Sequence, residues 1–373
     1  MKNKHLLFIL LLFIFTRTTA QCPPDGIIFR NQADINSFQT NYPNCSEIIG
    51  VGVEGDDIVN LNGLNNLVSI EQNLVITQNS LLTDLSGLNN LTYIGGNLAI
   101  TNNSSLTNLS GLDNLGYLGG SLLVLENYSL QTLTQFKTLD SIGGELWFSY
   151  NTSLASLSGL DSLSNIGEKF ILEGSGHLAN LSGLEGLQTI GLFVSIMDND
   201  SLVNLSGLEN LTSINGNLGI SHNDMLTSLH GIENINPESI GDIWIQNNPS
   251  LTTCDIQNIC DYLSNPNGVH VENNASGCNS QEEIEEACLV SVPNSTNNPQ
   301  LTFYPNPAKD EIFISTETGY AMSEILLYNQ LGQKVLRKSG ITREIDLTNF
   351  KPGLYILEFV TNELKIRRKL IIE

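Results

Sequence analysis

The chain has 373 residues, with 39 acidic against 16 basic side chains and a formal net charge of −23. Residues 21–300 hold 3 of the basic residues and 30 of the acidic ones, a net of −27, whereas residues 301–373 hold ten basic and nine acidic. Nucleic acid and anionic lipid are bound chiefly through Lys and Arg, so the central region is not expected to bind either. At 40% hydrophobic and 15% charged residues, the composition is not that of a disordered chain.

At the N-terminus, Lys2 and Lys4 precede an apolar run from Leu6 to Phe15 and then Thr18-Thr19-Ala20-Gln21. This charge, apolar run and small-residue order predicts a secretory signal peptide over 1–20, cut after Ala20. Cys22 raises a lipoprotein alternative, which Gln21 disfavours because a small residue is wanted just before the lipidated Cys. No second apolar run approaches the ~18–20 residues of a membrane span, so no transmembrane segment is expected.

Cys22, Cys45, Cys254, Cys260, Cys278 and Cys288 are the six cysteines. An even number in an exported chain reads as disulfides. The simplest pairing is Cys22–Cys45 with two bridges among the other four, for which three connectivities are open.

Residues 51–255 repeat with a step of 24, after a degenerate opening coil at Val51-Gly-Val53, Ile58 and Leu61, and the last full unit gains a residue near Pro237. One apolar register reads Leu64, Leu88, Leu112, Phe136, Leu160, Leu184, Leu208 and Ile232, and further rows follow it at Leu67, Ile70, Leu74 and Ile76 and their equivalents. The rows from Leu74 and Ile76 alternate with variable residues, the pattern of a short strand with one face inward. Asn79, Asn103, Asn127, Asn151, Asn199 and Asn223 occupy one register, with Ser175 as the exception. A strict period of this length predicts a solenoid whose coils bury their apolar rows only against neighbours, with the Asn row as an internal ladder. The pairs Gly95-Gly96, Gly119-Gly120 and Gly143-Gly144 predict a turn that needs positive φ or close backbone approach. Both cysteine clusters fall at the ends: a cap over 21–50 with a helix begun by Asn31, and a second over 256–289.

The unit Ser86-Gly-Leu-Asn-Asn-Leu-Thr-Tyr-Ile-Gly-Gly-Asn-Leu-Ala-Ile-Thr-Asn-Asn103 resembles leucine-rich repeats and, more closely, receptor L domains. Asn103 and Leu106 are three apart rather than the usual two, and there is no room for a long convex helix. The resemblance implies a right-handed parallel β-solenoid whose sheet often binds proteins or glycans.

Beyond a polar linker at 290–300, residues 301–373 show short strands separated by Gly332, Gly340 and Pro352-Gly353, a small antiparallel β-sandwich. The predicted strands are Ile312–Ser315, Glu324–Tyr328, Gln333–Arg337, Leu354–Phe359 and Lys365–Ile372. Tyr304-Pro305-Asn306-Pro307-Ala308 with Asp310, Tyr328 to Gln333 around Gly332, Pro352-Gly353-Leu354-Tyr355 and the closing basic strand resemble the type A sorting domain of type IX secretion. That resemblance implies the type IX secretion machinery as a partner and a secreted or surface-attached product. The fold class expected overall is mainly β, a leucine-rich parallel solenoid followed by this sandwich.

Catalytic chemistry is not apparent. His177, His222, His230 and His270 have no metal spacing with other ligand types, and neither HExxH, CxxC nor Gly-x-Ser-x-Gly occurs. Asp198-Asn-Asp200 and Glu54-Gly-Asp-Asp57 lack the spacing of a calcium loop and read as turns. No enzyme activity, cofactor or metal is expected. The outward positions of the predicted strands read Val75, Ala99, Leu123, Trp147, Ile171, Ser195 and Gly219, with Leu125 and Met197 two residues on and Phe193 two before. Leu123, Leu125, Trp147, Ile171, Phe193 and Met197, with Tyr150 at the adjoining turn, thus form a candidate patch for an unidentified protein or glycan, Trp147 being its anchor. Surface-layer self-assembly is the alternative reading of the same stripe.

Overall fold

The computed structural model describes residues 22–133, 135–290, 301–316, 322–329, 332–340, 343–361 and 365–373. The predicted signal peptide at 1–20 and nearly all of the predicted linker lie outside these residues.

The repeat folds as a parallel solenoid. Strands such as Leu74–Thr77, Leu98–Thr101, Leu122–Leu125 and Leu146–Ser149 stack in sequence order into an 11-stranded parallel sheet. Register is kept residue for residue through the regular coils, with Leu98 beside Leu122 and Leu146 beside Phe170, and shifts between Gly216 and Leu218 where Ile240–Gln246 joins the sheet. Every member of the Leu64 register is buried, from Leu64 at 0% exposure to Ile232 at 1%. A single coil could not shield these rows; each closes the one before it, which is why the period is so strict. The long sheet runs from Ile27–Phe29 to Gly268–Glu272, one strand beyond 51–255 at each end. Segments 21–50 and 256–289 therefore each contribute a strand as well as covering helices.

A second parallel sheet of eight two-residue strands lies at the Ile70 register, including Ser69–Ile70, Tyr93–Ile94 and Tyr117–Leu118. Only one inward residue per coil marks it, too little alternation to be seen in the sequence. The Gly-Gly pairs sit just after these strands. They have no positive φ, and close approach explains them: a Cβ on Gly119 would lie 2.3 Å from the carbonyl oxygen of Gly95. Positive φ falls instead on the Ser-Gly-Leu glycines from Gly111 (+116°) onward, though not on Gly87, and on the residue before each ladder position, such as Gln78 and Tyr150.

The asparagines form the expected ladder. Asn103 Oδ1 accepts from both the backbone N–H and Nδ2 of Asn79, at 3.1 and 2.9 Å, and Asn127 and Asn151 repeat the backbone contact. Nδ2 of each rung also donates to a carbonyl of the previous coil, as Asn103 does to Ile76 at 3.0 Å. The ladder continues through Asn248 and Asn274, where the spacing lengthens to 25 and then 26 residues. At the exception, Ser175 N–H still donates to Asn199 Oδ1 (3.0 Å), but the buried Ser175 hydroxyl has no partner among the described residues. Ser175→Asn should restore the rung and raise stability by about 1 kcal/mol. In a unit of this size that raises the melting temperature by ~2–4 °C; an unchanged or lower value in a thermal melt would show that the site cannot house the amide.

Both ends are stapled. The helix Gln32–Asn41 begins at Asn31, whose side chain accepts from Asp34 N–H, and it buries Ile35 and Phe38, the latter edge-on to Phe29 at 5.3 Å. Cys22–Cys45 closes this end. At the far end Cys254–Cys278 and Cys260–Cys288 are bonded, the second joining helices Gln257–Leu263 and Gln281–Val290. Asp57 of the acidic Glu54–Asp57 turn accepts from Gln32 N–H at 3.2 Å, a helix-start contact.

Residues 301–373 have a separate core around Ile312, Ile325, Leu327, Ile345, Leu357, Phe359 and Leu370. It lies in a module of two antiparallel sheets, one of three strands and one of four. The short strands Leu301–Tyr304 and Glu344–Asp346 belong to the three-stranded sheet and were not expected from the sequence.

Candidate functional site

The strands of the long sheet set every second side chain on its outward face. One outward row, read from strand to strand, is Leu123, Trp147, Ile171, Ser195, Gly219, Trp244 and His270. The next is Leu125, Ser149, Glu173, Met197, Ser221, Gln246 and Glu272. Adjacent strands are ~4.8 Å apart, so Leu123, Trp147 and Ile171 touch side by side, whereas Trp147 and Trp244 stand ~19 Å apart. The structure thus brings together Leu123, Leu125, Trp147, Ile171, Phe193 and Met197. Each is half-buried, because neighbours in the row shield its flanks. Tyr150 is exposed at the turn with φ +54°.

Polar groups cross this patch. Glu173 accepts from the Ser149 hydroxyl (3.1 Å) and from the Tyr150 hydroxyl (3.0 Å), and Ser149 is buried by the contact. The hydrogen bond to Glu173, reinforced by its charge, raises the Tyr150 pKa. Lys169 pairs with Glu145 at 2.5 Å and lies over the Phe193 ring at 5.7 Å; the bond to Glu145, and then its charge, raise the Lys169 pKa. The Trp147 indole N–H is shielded and has no acceptor among the described residues.

Two hollows flank the apolar centre. One of about 340 Å³ lies near Gly52 and is lined by Asp25, Ile28, Glu54, Gln72 and Val75 among others. The other, of about 330 Å³, opens over Gly219 and is lined by Phe193, Ser195, Asn217, Ser221, Trp244 and Gln246. Trp244 stacks on His270 with ring centres 5.0 Å apart and planes within 6°. Sequence reading stopped the patch at the small residues Ser195 and Gly219 and missed Trp244, because the 24-residue step slips to 25 in that coil. Its signal was the alternation Ile243-Trp244-Ile245, inward rows on either side of an aromatic.

In the C-terminal module, the Tyr304–Ala308 segment meets the closing basic strand. Tyr304 ends the first strand, exposed and 5.8 Å from the Phe313 ring, and leads through Pro305 to Asn306. Asn306 accepts from Ile371 N–H and donates to Lys369 O, both at 2.8 Å, and so ties Tyr304–Pro307 to the last strand. Asp310 O accepts from Leu347 N–H at 2.7 Å. Gly332 closes the turn after Asn329 with φ +68°, and Gly353 (φ +153°) opens the strand Gly353–Thr361. Tyr355 is buried and donates to Lys351 O at 2.9 Å.

Among the described residues, no group of three or more His, Cys, Asp or Glu side chains is placed to hold a metal ion. No helix of these residues is long and apolar enough to cross a membrane. Residues 66–143 match the family described as Receptor L domain, and residues 302–373 match the secretion system C-terminal sorting domain. The chain is also 36% identical over 103 residues to Beta-agarase D of Zobellia galactanivorans, a stretch that is 26% of this chain and 21% of that protein. The match therefore spans about a fifth of that relative's length. The C-terminal match implies contact with the type IX secretion machinery. The chain carries a receptor L domain-type solenoid joined to a type IX secretion sorting domain, and it is a secreted or cell-surface protein.

Proposed function

We propose that the exported protein is a non-catalytic recognition or adhesion module that binds a glycan or protein through the outward face of the long sheet. The observation that supports this most is the gathering of Leu123, Trp147, Ile171, Phe193 and Met197 at the centre of a broad parallel sheet face. Aromatic anchors ringed by polar side chains are the usual composition of a binding centre. The partial similarity to Beta-agarase D makes polysaccharides the first ligands to try.

The test is binding of the purified exported protein to glycan and protein arrays beside the double variant Trp147→Ala/Ile171→Ser. A specific signal weakened at least ~10-fold in the variant, equivalent to a loss of about 1.4 kcal/mol, is expected. A signal of equal strength in both proteins would remove this face from the account. Concentration-dependent self-association abolished by the same substitutions would replace recognition of a foreign ligand with self-assembly.

A further inference from the structure

We propose that the hollow over Gly219, between Phe193 and the Trp244–His270 stack, is a subsite for a ring of a neutral glycan; this rests on the recognition reading above and names its ligand class. The hollow arises from side-chain size along one row. Ile171 stands on one side and Trp244 on the other, and between them Ser195 and Gly219 lower the floor across two strands. Its volume of about 330 Å³ falls at the small end of the ~300–1,000 Å³ range of small-molecule pockets.

The lining chemistry selects the ligand. A sugar ring presents an apolar C–H face and a rim of hydroxyls. Trp244 offers a flat aromatic surface backed by His270, and Phe193 supplies apolar surface at the other edge. Hydroxyls need neutral groups able both to donate and to accept, which Ser195, Asn217, Ser221 and Gln246 provide. The Asn217 side-chain carbonyl already accepts from Asp242 N–H (2.8 Å), which leaves its amide N–H groups for a ligand. The Ser195 and Ser221 hydroxyls have no hydrogen-bond partner among the described residues. No ionisable side chain lines the hollow. With 30 acidic and 3 basic residues between 21 and 300, the surrounding surface repels sulfated or uronic glycans. A neutral chain is the carbohydrate that fits both the lining and the field.

Gly219 also supplies a clean test. It has no positive φ, and a Cβ placed there meets no atom nearer than Val194 O at 3.5 Å. A Gly219→Leu side chain therefore enters the hollow without displacing backbone. The exported protein would be titrated by calorimetry with oligosaccharides of a neutral galactan, a neutral glucan and a neutral mannan, and with a sulfated galactan. Intrinsic fluorescence gives a second readout, because both tryptophans of the chain, Trp147 and Trp244, lie on this face.

Saturable binding of at least one neutral oligosaccharide is expected, weakened 10-fold or more by Gly219→Leu and by Trp244→Ala, with the sulfated galactan weaker still. Thermal melts establish that each variant is folded, and Trp244→Ala carries the test if Gly219→Leu is not. The proposal is overturned if no neutral glycan binds, if a folded variant binds as the parent does, or if the sulfated galactan binds best. A ligand lost with Trp147→Ala/Ile171→Ser but kept by Gly219→Leu and Trp244→Ala would sink the subsite and leave the recognition face standing. A ligand unaffected by all of these substitutions would sink both.

Discussion

Asn127→Ala is expected to lower the stability of the solenoid by about 3–5 kcal/mol. Asn127 Oδ1 accepts from the backbone N–H and Nδ2 of Asn103, at 3.1 and 3.2 Å. Its own Nδ2 donates to Ile100 O (2.8 Å) and Leu125 O (3.1 Å). Alanine leaves several of these groups buried without a partner, and each such group costs about 1–3 kcal/mol before relaxation. At ~2–4 °C per kcal/mol, the thermal transition of the exported protein should fall by roughly 10 °C. Tyr128→Ala at the exposed neighbouring position should change it by no more than about 2 °C. Equal shifts in the two variants would mean that the ladder is ornamental and the leucine rows alone hold the coils.

Gly111→Val should be at least as damaging, by about 4 kcal/mol or more, and should sharply reduce the yield of folded secreted protein. Gly111 has φ +116°, a conformation closed to β-branched residues. A Cβ there would also stand 1.8 Å from the carbonyl oxygen of Leu85, on the preceding coil. The clash is with backbone, so no rotamer relieves it; the coils must separate and uncover the leucine rows between them. Gly116→Ala is the matched control. It lies in the same coil, has no positive φ, and its Cβ would come no nearer than 4.0 Å to Thr92 O, so a change within about 0.5 kcal/mol is expected. Similar losses at Gly111 and Gly116 would show that glycine composition, not coil-to-coil approach, sets the stability.

Much of the fold was legible because a solenoid writes its contacts into its spacing. When each residue packs on its equivalent one coil away, the rows of Leu64 and Leu67 and the Asn79 ladder recur at the interval at which they touch. The same strictness let the outward row Leu123, Trp147 and Ile171 be read directly. Legibility failed where the step slipped. The insertion near Pro237 moved Trp244 and the ladder position Asn248 out of the 24-residue register, and two further residues after Asn248 displaced Asn274. It failed again where an element was too short to show alternation, as in the two-residue strands of the second sheet and in Glu344–Asp346.

The amino-acid sequence by itself determined the coil architecture, the placing of the cysteines at both ends and the outward run Leu123, Trp147 and Ile171, because periodic burial leaves a periodic record, and it favoured the Cys22–Cys45 pairing that the structure contains. Tertiary structure alone decided which of the three pairings joins Cys254, Cys260, Cys278 and Cys288, since that depends on how two helices and a turn close the last coil. It alone showed that Asn306 holds the closing strand of the sorting domain from more than sixty residues away. It alone showed the hollow over Gly219, because a cavity depends on the relative heights of neighbouring side chains from four successive strands, and no single coil contains that information.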